Sequence, residues 1–189
     1  PMNAGEATKG FTIIELMIVL VVAALLLTVG IPAFTSTVMN NQLTTQVNAL
    51  VADINLARSE AVKRNVRVIM CRSANPGAAT PSCGGTAQTW TTGWLIFADD
   101  GNNTNNVYDS GTDILIRTGQ PALAGVAIMT NATSNNNLEY NPDGSTNEGG
   151  GTALFSVCDD RGTNYGKQVQ VSPTGRPKFV PSPIADCSP

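Results

Sequence analysis

The chain has no histidine among its 189 residues. That removes the commonest general base and the commonest metal ligand together, and with them every Ser-His or Cys-His nucleophile pair. Charge is also scarce. Asp, Glu, Lys and Arg make up 13% of the chain and leave a net charge of −3. Such a chain exerts no general electrostatic pull on nucleic acid or anionic lipid. No two of its cysteines have the Cys-x-x-Cys spacing of a redox or zinc site. Gly, Asn, Thr and Ser are plentiful instead, so the polar surface relies on amides and hydroxyls. The length suits one domain plus one extended element.

Four cysteines are present, Cys71, Cys83, Cys158 and Cys187. With no histidine to complete a mixed metal site, they read as two disulfides, which implies an oxidising compartment. Pairing of sequence neighbours, Cys71–Cys83 and Cys158–Cys187, closes two short loops, each worth on the order of 3 kcal/mol. Spacing leaves the crossed connectivities open.

Residues 1–10 are polar and carry Lys9. From Phe11 to Val29 the run is apolar except for Thr12, Glu15 and Thr28, about 19 residues, enough to cross a hydrocarbon core as a helix. About a dozen strongly apolar residues at up to ~0.3–0.6 kcal/mol each outweigh a cost of at most ~3 kcal/mol for Glu15. A secretory signal would carry its small residues after the apolar core. Here Gly10 and the charge precede it, so processing after Gly10 keeps the helix on the mature chain. Lys9 on the cytoplasmic side sends the rest outward. Glu15 has two readings: a functional carboxylate inside the membrane, or a local complement to the helix N-terminal dipole.

Gly30 and Pro32 interrupt the apolar run, and Pro32 is expected to kink or locally melt the helix. Beyond it, Leu43, Val47, Leu50, Ile54, Ala57 and Ala61 step by four and three along one helical stripe, with Asn48, Asp53, Asn55 and Lys63 off it. A helix from Phe11 to about Arg64 is ~80 Å long. Its second half must bury the stripe against its own head or a coiled-coil partner. The short stripe and the Thr and Asn content favour the head. After Asn65 the sequence turns β-like: 66–71, 93–97, 114–117, 126–129, 153–158 and 168–171, with Gly/Asn/Pro/Asp loops between. This reads as an antiparallel sheet packed on the helix, an α+β head.

Gly10-Phe11-Thr12-Ile13-Ile14-Glu15 and the apolar run behind it resemble the prepilin processing site of type IV pilins and type II secretion pseudopilins. The stretch 56–65 is similar to the helix end of the GspH/FimT branch. The order Cys71, 93–97, 114–117, Cys158 and Gly175-Arg176 resembles the same branch more loosely. The resemblance implies cleavage between Gly10 and Phe11 by prepilin peptidase and N-methylation of Phe11. It also implies a role for Glu15 in assembly with other major and minor pilins, and unwinding near Pro32. The fold it implies is the type IV pilin fold: leader 1–10, transmembrane half-helix 11–32, amphipathic half-helix 33–65 and periplasmic head 66–189. With Met2 as the start, the leader is one residue shorter. The function it implies is structural: a minor pilin of a type IV pilus, priming assembly or near the tip, with a DNA-binding minor pilin for DNA uptake or a type II secretion pseudopilin as the alternatives. No catalytic constellation and no cofactor are expected.

Two local patterns carry other chemistry. Asp100, Asn102, Thr104 and Asn106 alternate like early calcium ligands, with Asp109 or Asp113 to close. The central Gly and the closing Glu are missing, so a turn held by Asn and Asp is the better reading and no metal is expected. Gly175-Arg176-Pro177-Lys178 resembles the Gly-Arg-x-Arg/Lys motif of FimT-like pilins that bind DNA. The resemblance implies Arg176 and Lys178 as phosphate contacts, with Arg161 and Lys167 as additions. The plainer reading is a turn between two terminal strands, since phosphate binding needs several clustered cations.

Overall fold

The computed structural model describes residues 10–86, 88–99, 106–131, 136–147, 151–181 and 183–187, with Val29 described by its backbone. One helix, α1 (Ile13–Arg64), precedes eight strands: β1 (Arg67–Arg72), β2 (Trp94–Asp99), β3 (Ile114–Thr118), β4 (Val126–Thr130), β5 (Asn137–Tyr140), β6 (Ala153–Asp159), β7 (Lys167–Val171) and β8 (Pro177–Val180). The chain divides into two units, residues 1–39 and 40–189.

In the first unit α1 runs through Gly30 and Pro32 without a break. The local melting expected at Pro32 is absent from the single chain. Proline deletes one backbone donor and crowds one turn, and the neighbouring helical bonds survive it. The hydroxyls around it turn back onto the helix. Thr28 donates to Leu25 O, Thr35 to Pro32 O, and Ser36 and Thr37 both donate to Ala33 O. Such back-bonding weakens and bends helices slightly, and here it clusters around Pro32.

In the second unit the stripe is buried. Leu43, Leu50, Ile54, Ala57 and Ala61 are fully buried and Val47 nearly so. Asn65 closes the helix in the left-handed conformation, φ 54°, the cap position where Asn substitutes for Gly. The chain then reverses into β1.

The strands form two antiparallel sheets, ordered β3-β2-β1-β5 and β4-β6-β7-β8. The stripe shares one core with Val68, Met70 and Ile96 of the first sheet and with Phe155, Val157, Val169 and Val171 of the second. Period-two alternation sends Ile69, Cys71, Leu95 and Phe97 to the opposite face of the first sheet, where Cys83, Tyr108 and Leu115 cover them. That is why β1 and β2 read as near-continuous apolar runs. One strand goes beyond the sequence expectation: β5, too short and polar to show a period; β8, which begins with proline, is the second of the two terminal strands expected around Gly175.

Two disulfides tie loops to this frame. Cys71 on β1 bonds Cys83, covering the outer face of the first sheet. Cys158 on β6 bonds Cys187. The tail it holds also buries Ile184, against which a side chain at Gly166 would clash.

Candidate assembly site

The first turns of α1 show how the leading motif is built. Thr12 is the N-cap: its Oγ1 accepts from the Glu15 N–H at 3.3 Å, and its carbonyl accepts from Leu16 N–H at 3.1 Å. Thr12-x-x-Glu15 therefore has the spacing of a capping box, with only the threonine half in place. Among the described residues Glu15 has no ion-pair partner. Gly10 and Phe11 precede the helix and are exposed, and no atom lies within 4 Å of where a Gly10 side chain would begin.

Beyond the cap, apolar side chains point to every side. Ile13 (78% exposed), Leu16, Met17, Ile18, Leu20, Val21, Leu25, Leu26, Ile31 and Phe34 (71%) are all uncovered. A helix apolar all round is stable only inside other apolar material, lipid or neighbouring helices. It is long and apolar enough to cross a membrane, with a mean hydropathy of 2.8 over its most apolar window.

The buried charges of the head are spent internally. Arg67 bridges the carboxylates of Asp99 on β2 and Glu139 on β5. Burial pulls its pKa down, but the two carboxylates outweigh that and leave it raised. Asp53, expected to lie off the apolar stripe, is instead buried (3% exposed). It accepts from the Trp94 indole N–H at 2.9 Å and lies 3.1 Å from Arg117 Nη1, an ion pair without hydrogen-bond alignment at Oδ1. Burial pushes its carboxyl above the usual range, against the indole bond and the Arg117 charge. These interactions clamp α1 to β2 and β3.

The remaining sequence candidates separate. Asp100 and Asn102 lie outside the described residues. Asp109 and Asp113 close a turn: Asp109 N–H donates to Asp113 Oδ2 and Asp113 N–H to Asp109 O, both at 2.8 Å. Among the described residues no group of three His, Cys, Asp or Glu could hold a metal. Residues 172–176 connect β7 and β8, with Pro173-Thr174-Gly175 at the turn. Gly175 N–H donates to Ser172 O, Ser172 N–H to Arg176 O, and Gly175 adopts φ 75°. This is a type I turn closed by a left-handed glycine. A side chain there would meet Gly144 O at 2.0 Å, so the positive φ and the close approach of the neighbouring loop together account for the glycine. Arg176 and Lys178 are exposed. Arg161 is engaged with Asp159, Asn40 and the Tyr165 ring, and Lys167 with Thr44.

A capped helix with an uncovered apolar first half, followed by a disulfide-stapled two-sheet head clasped on its second half, defines a type IV pilin-like subunit. The family model described as the type II transport protein GspH matches residues 46–175. The model described as the prokaryotic N-terminal methylation motif matches residues 7–31. The chain belongs to the GspH family of minor pilins and pseudopilins, whose members are structural subunits rather than enzymes, assembled with other pilins after processing by prepilin peptidase.

Two crystal forms of the type IV minor pilin FimU from Pseudomonas aeruginosa strain PAO1 share the fold. The P21 form has a TM-score of 0.58 and 20% identity, covering 78% of this chain and 95% of that one. The P65 form has a TM-score of 0.53 and 19% identity, covering 76% and 98%. No curated protein sequence matches the chain.

Proposed function

We propose that this chain is a minor pilin of a type IV pilus, incorporated near the tip or at the priming of assembly. The observation that carries this is the division of α1. Its second half is buried in its own head, while its first half is apolar on every side and holds Glu15, which has no ion-pair partner among the described residues. On this reading residues 1–10 are the leader, cut between Gly10 and Phe11, and Phe11 is N-methylated. Residues 11–32 span the inner membrane, 33–65 form the amphipathic half-helix, and 66–189 are the periplasmic head. Two disulfides in the head support an oxidising compartment. Pro32, with its ring of back-bonded hydroxyls, is the place where the helix adjusts once packed in a filament.

Mass spectrometry of membrane-extracted protein tests the processing step. The expected N-terminus is Phe11, carrying one methyl group. An N-terminus beyond Pro32 would mean a cleaved secretory signal and would contradict the proposal.

The family model favours one second reading, a pseudopilin of type II secretion. The two separate by location: sheared surface filaments contain a pilus subunit, whereas a pseudopilin stays with the envelope. A DNA-uptake role would rest on exposed Arg176 and Lys178. On that reading, duplex DNA binding weakens with salt and disappears in Arg176→Ala/Lys178→Ala. No binding at low salt removes it.

A further inference from the structure

Burial of the apolar stripe begins at Leu43, yet the second unit begins at Asn40. Asn40 itself is exposed, so apolar packing does not hold this turn of α1. Two cations that flank the loop between β6 and β7 reach it instead. Arg161 Nη2 donates to Asn40 Oδ1 at 2.9 Å. Lys167 Nζ donates to Thr44 Oγ1 at 2.7 Å, and that hydroxyl donates in turn to the Asn40 carbonyl at 2.7 Å. Asn40 thus receives one bond on its side chain and one on its backbone, each traced to a cation of the head.

Arg161 is set for this contact from several directions. Its Nε and Nη2 both donate to Asp159 Oδ2, at 3.0 and 2.6 Å, and its backbone N–H donates to Asp159 Oδ1 at 3.0 Å. Tyr165 presents its ring to the guanidinium, whose carbon lies 4.3 Å from the centroid, a stacking that suits arginine better than lysine. Asp159 ends β6 beside Cys158, which the bridge to Cys187 fixes. Exposed polar pairs are ordinarily weak because a long side chain must give up its rotamer freedom to make them. Here Asp159 and Tyr165 have already ordered the side chain, so the bond to Asn40 is made by a preorganised donor. Asp159 alone balances the charge of Arg161. Asn40 adds a neutral acceptor on a different element, so this bond serves position rather than charge balance.

We infer that Arg161 and Lys167 form a polar latch that extends the head's hold on α1 from Leu43 to Asn40, nearly one helical turn, and that Arg161 is its positioning residue. The latch confines bending of α1 to the residues before Asn40, where the back-bonded hydroxyls cluster around Pro32. A subunit keeps its register in a filament only if its helix does not swivel where it enters the head. That consequence rests on the reading of the chain as a filament subunit, whereas the latch itself is a property of the single chain.

Hydrogen exchange of the full chain in detergent, read by mass spectrometry, tests the latch. Arg161→Met should speed exchange severalfold in peptides covering 40–44 and leave those covering 94–99 of β2 unchanged. Arg161→Met also strips Asp159 of its partner, so a second variant is needed. Asn40→Ala, at an exposed site, removes the acceptor alone, and combining the two cancels alanine's own preference for helix. Arg161→Met should then speed exchange at 40–44 in the parent chain but not in the Asn40→Ala background. Unchanged exchange at 40–44 in Arg161→Met, equal acceleration in both backgrounds, or equal acceleration at 94–99 each overturns the latch, the last by making Arg161 a general support of the head. Immunoblots of membrane and sheared-filament fractions test its consequence: Arg161→Met should stay at the parent level in the membrane and fall severalfold in filaments. Parent-level incorporation would overturn the role in assembly. Absence of the parent chain itself from filaments would overturn the pilus reading and leave the exchange result standing.

Discussion

The two halves of α1 are one helix written for two solvents. Over 13–34 apolar residues occupy every side, and the large described ones are exposed; over 43–61 the stripe Leu43, Val47, Leu50, Ile54, Ala57 and Ala61 is buried. The polar residues differ in the same way. Asp53, in the second half, finds an indole N–H and an arginine in its own head. Glu15, in the first half, has neither among the described residues. Periodicity therefore tells where a helix meets its own domain, and its loss tells where the helix is meant for other molecules.

The sharpest way to break this comparison is to cut the same side chain from each half. Leu50→Ala empties a fully buried site and should destabilise the head by about 2–5 kcal/mol. Leu20→Ala, at a site 60% exposed, should leave head stability unchanged. Urea unfolding of the full chain in detergent, followed by tryptophan fluorescence, reads both. Equal losses would erase the distinction between the halves.

Removing the tail staple sharpens the same division. Cys158→Ala/Cys187→Ala opens a bridge across a sequence separation of 29 and should cost the head about 3–4 kcal/mol by the loop-closure account. Membrane insertion of the first half should be untouched, as checked by fractionation. Loss from the membrane would show that the two halves are not independent.

Asp53 gives a smaller effect with a definite sign. Its folded pKa is raised above the ordinary 3.8, by burial first, so folding favours its protonated form. The stability it contributes is complete below pH 3.8 and is lost as pH rises through the folded pKa. Asp53→Asn keeps an acceptor for Trp94 and removes the titration. Its Tm should fall less than that of the parent chain as pH is raised across this window. Parallel Tm–pH curves would show that Asp53 does not titrate with folding.

Much of this was legible in the residues. The helix limits, the buried stripe and six strands follow from period and composition, because these signals are local. The division into two sheets was not, since β5 joins β1 across most of the first sheet's sequence and only long-range pairing decides it. Asn137-Leu138-Glu139-Tyr140 looks like loop because Glu139 is buried only once Arg67 comes to meet it. Asp53 looks solvent-facing for the same reason: Trp94 and Arg117 lie far off in sequence. The capping-box spacing of Thr12 and Glu15 is readable, but it is hidden inside a processing motif that uses the same residues. Arg176 and Lys178 are visible as a motif, whereas the hairpin turn that holds Gly175 at positive φ before them exists only after folding.

The central claim is that Glu15 serves the filament and not the fold. An unpaired charge among packed apolar helices costs several kcal/mol. After processing, the amine of Phe11 on a neighbour can meet Glu15 and fix axial register, which apolar helices alone leave loose. A purely local role at the helix dipole is worth under about 1 kcal/mol and acts within the helix itself. The direct test is Glu15→Ala, with immunoblots of membrane and sheared-filament fractions. The account predicts that the variant is inserted, processed and disulfide-bonded as before but largely missing from filaments. Incorporation at the parent level would contradict it.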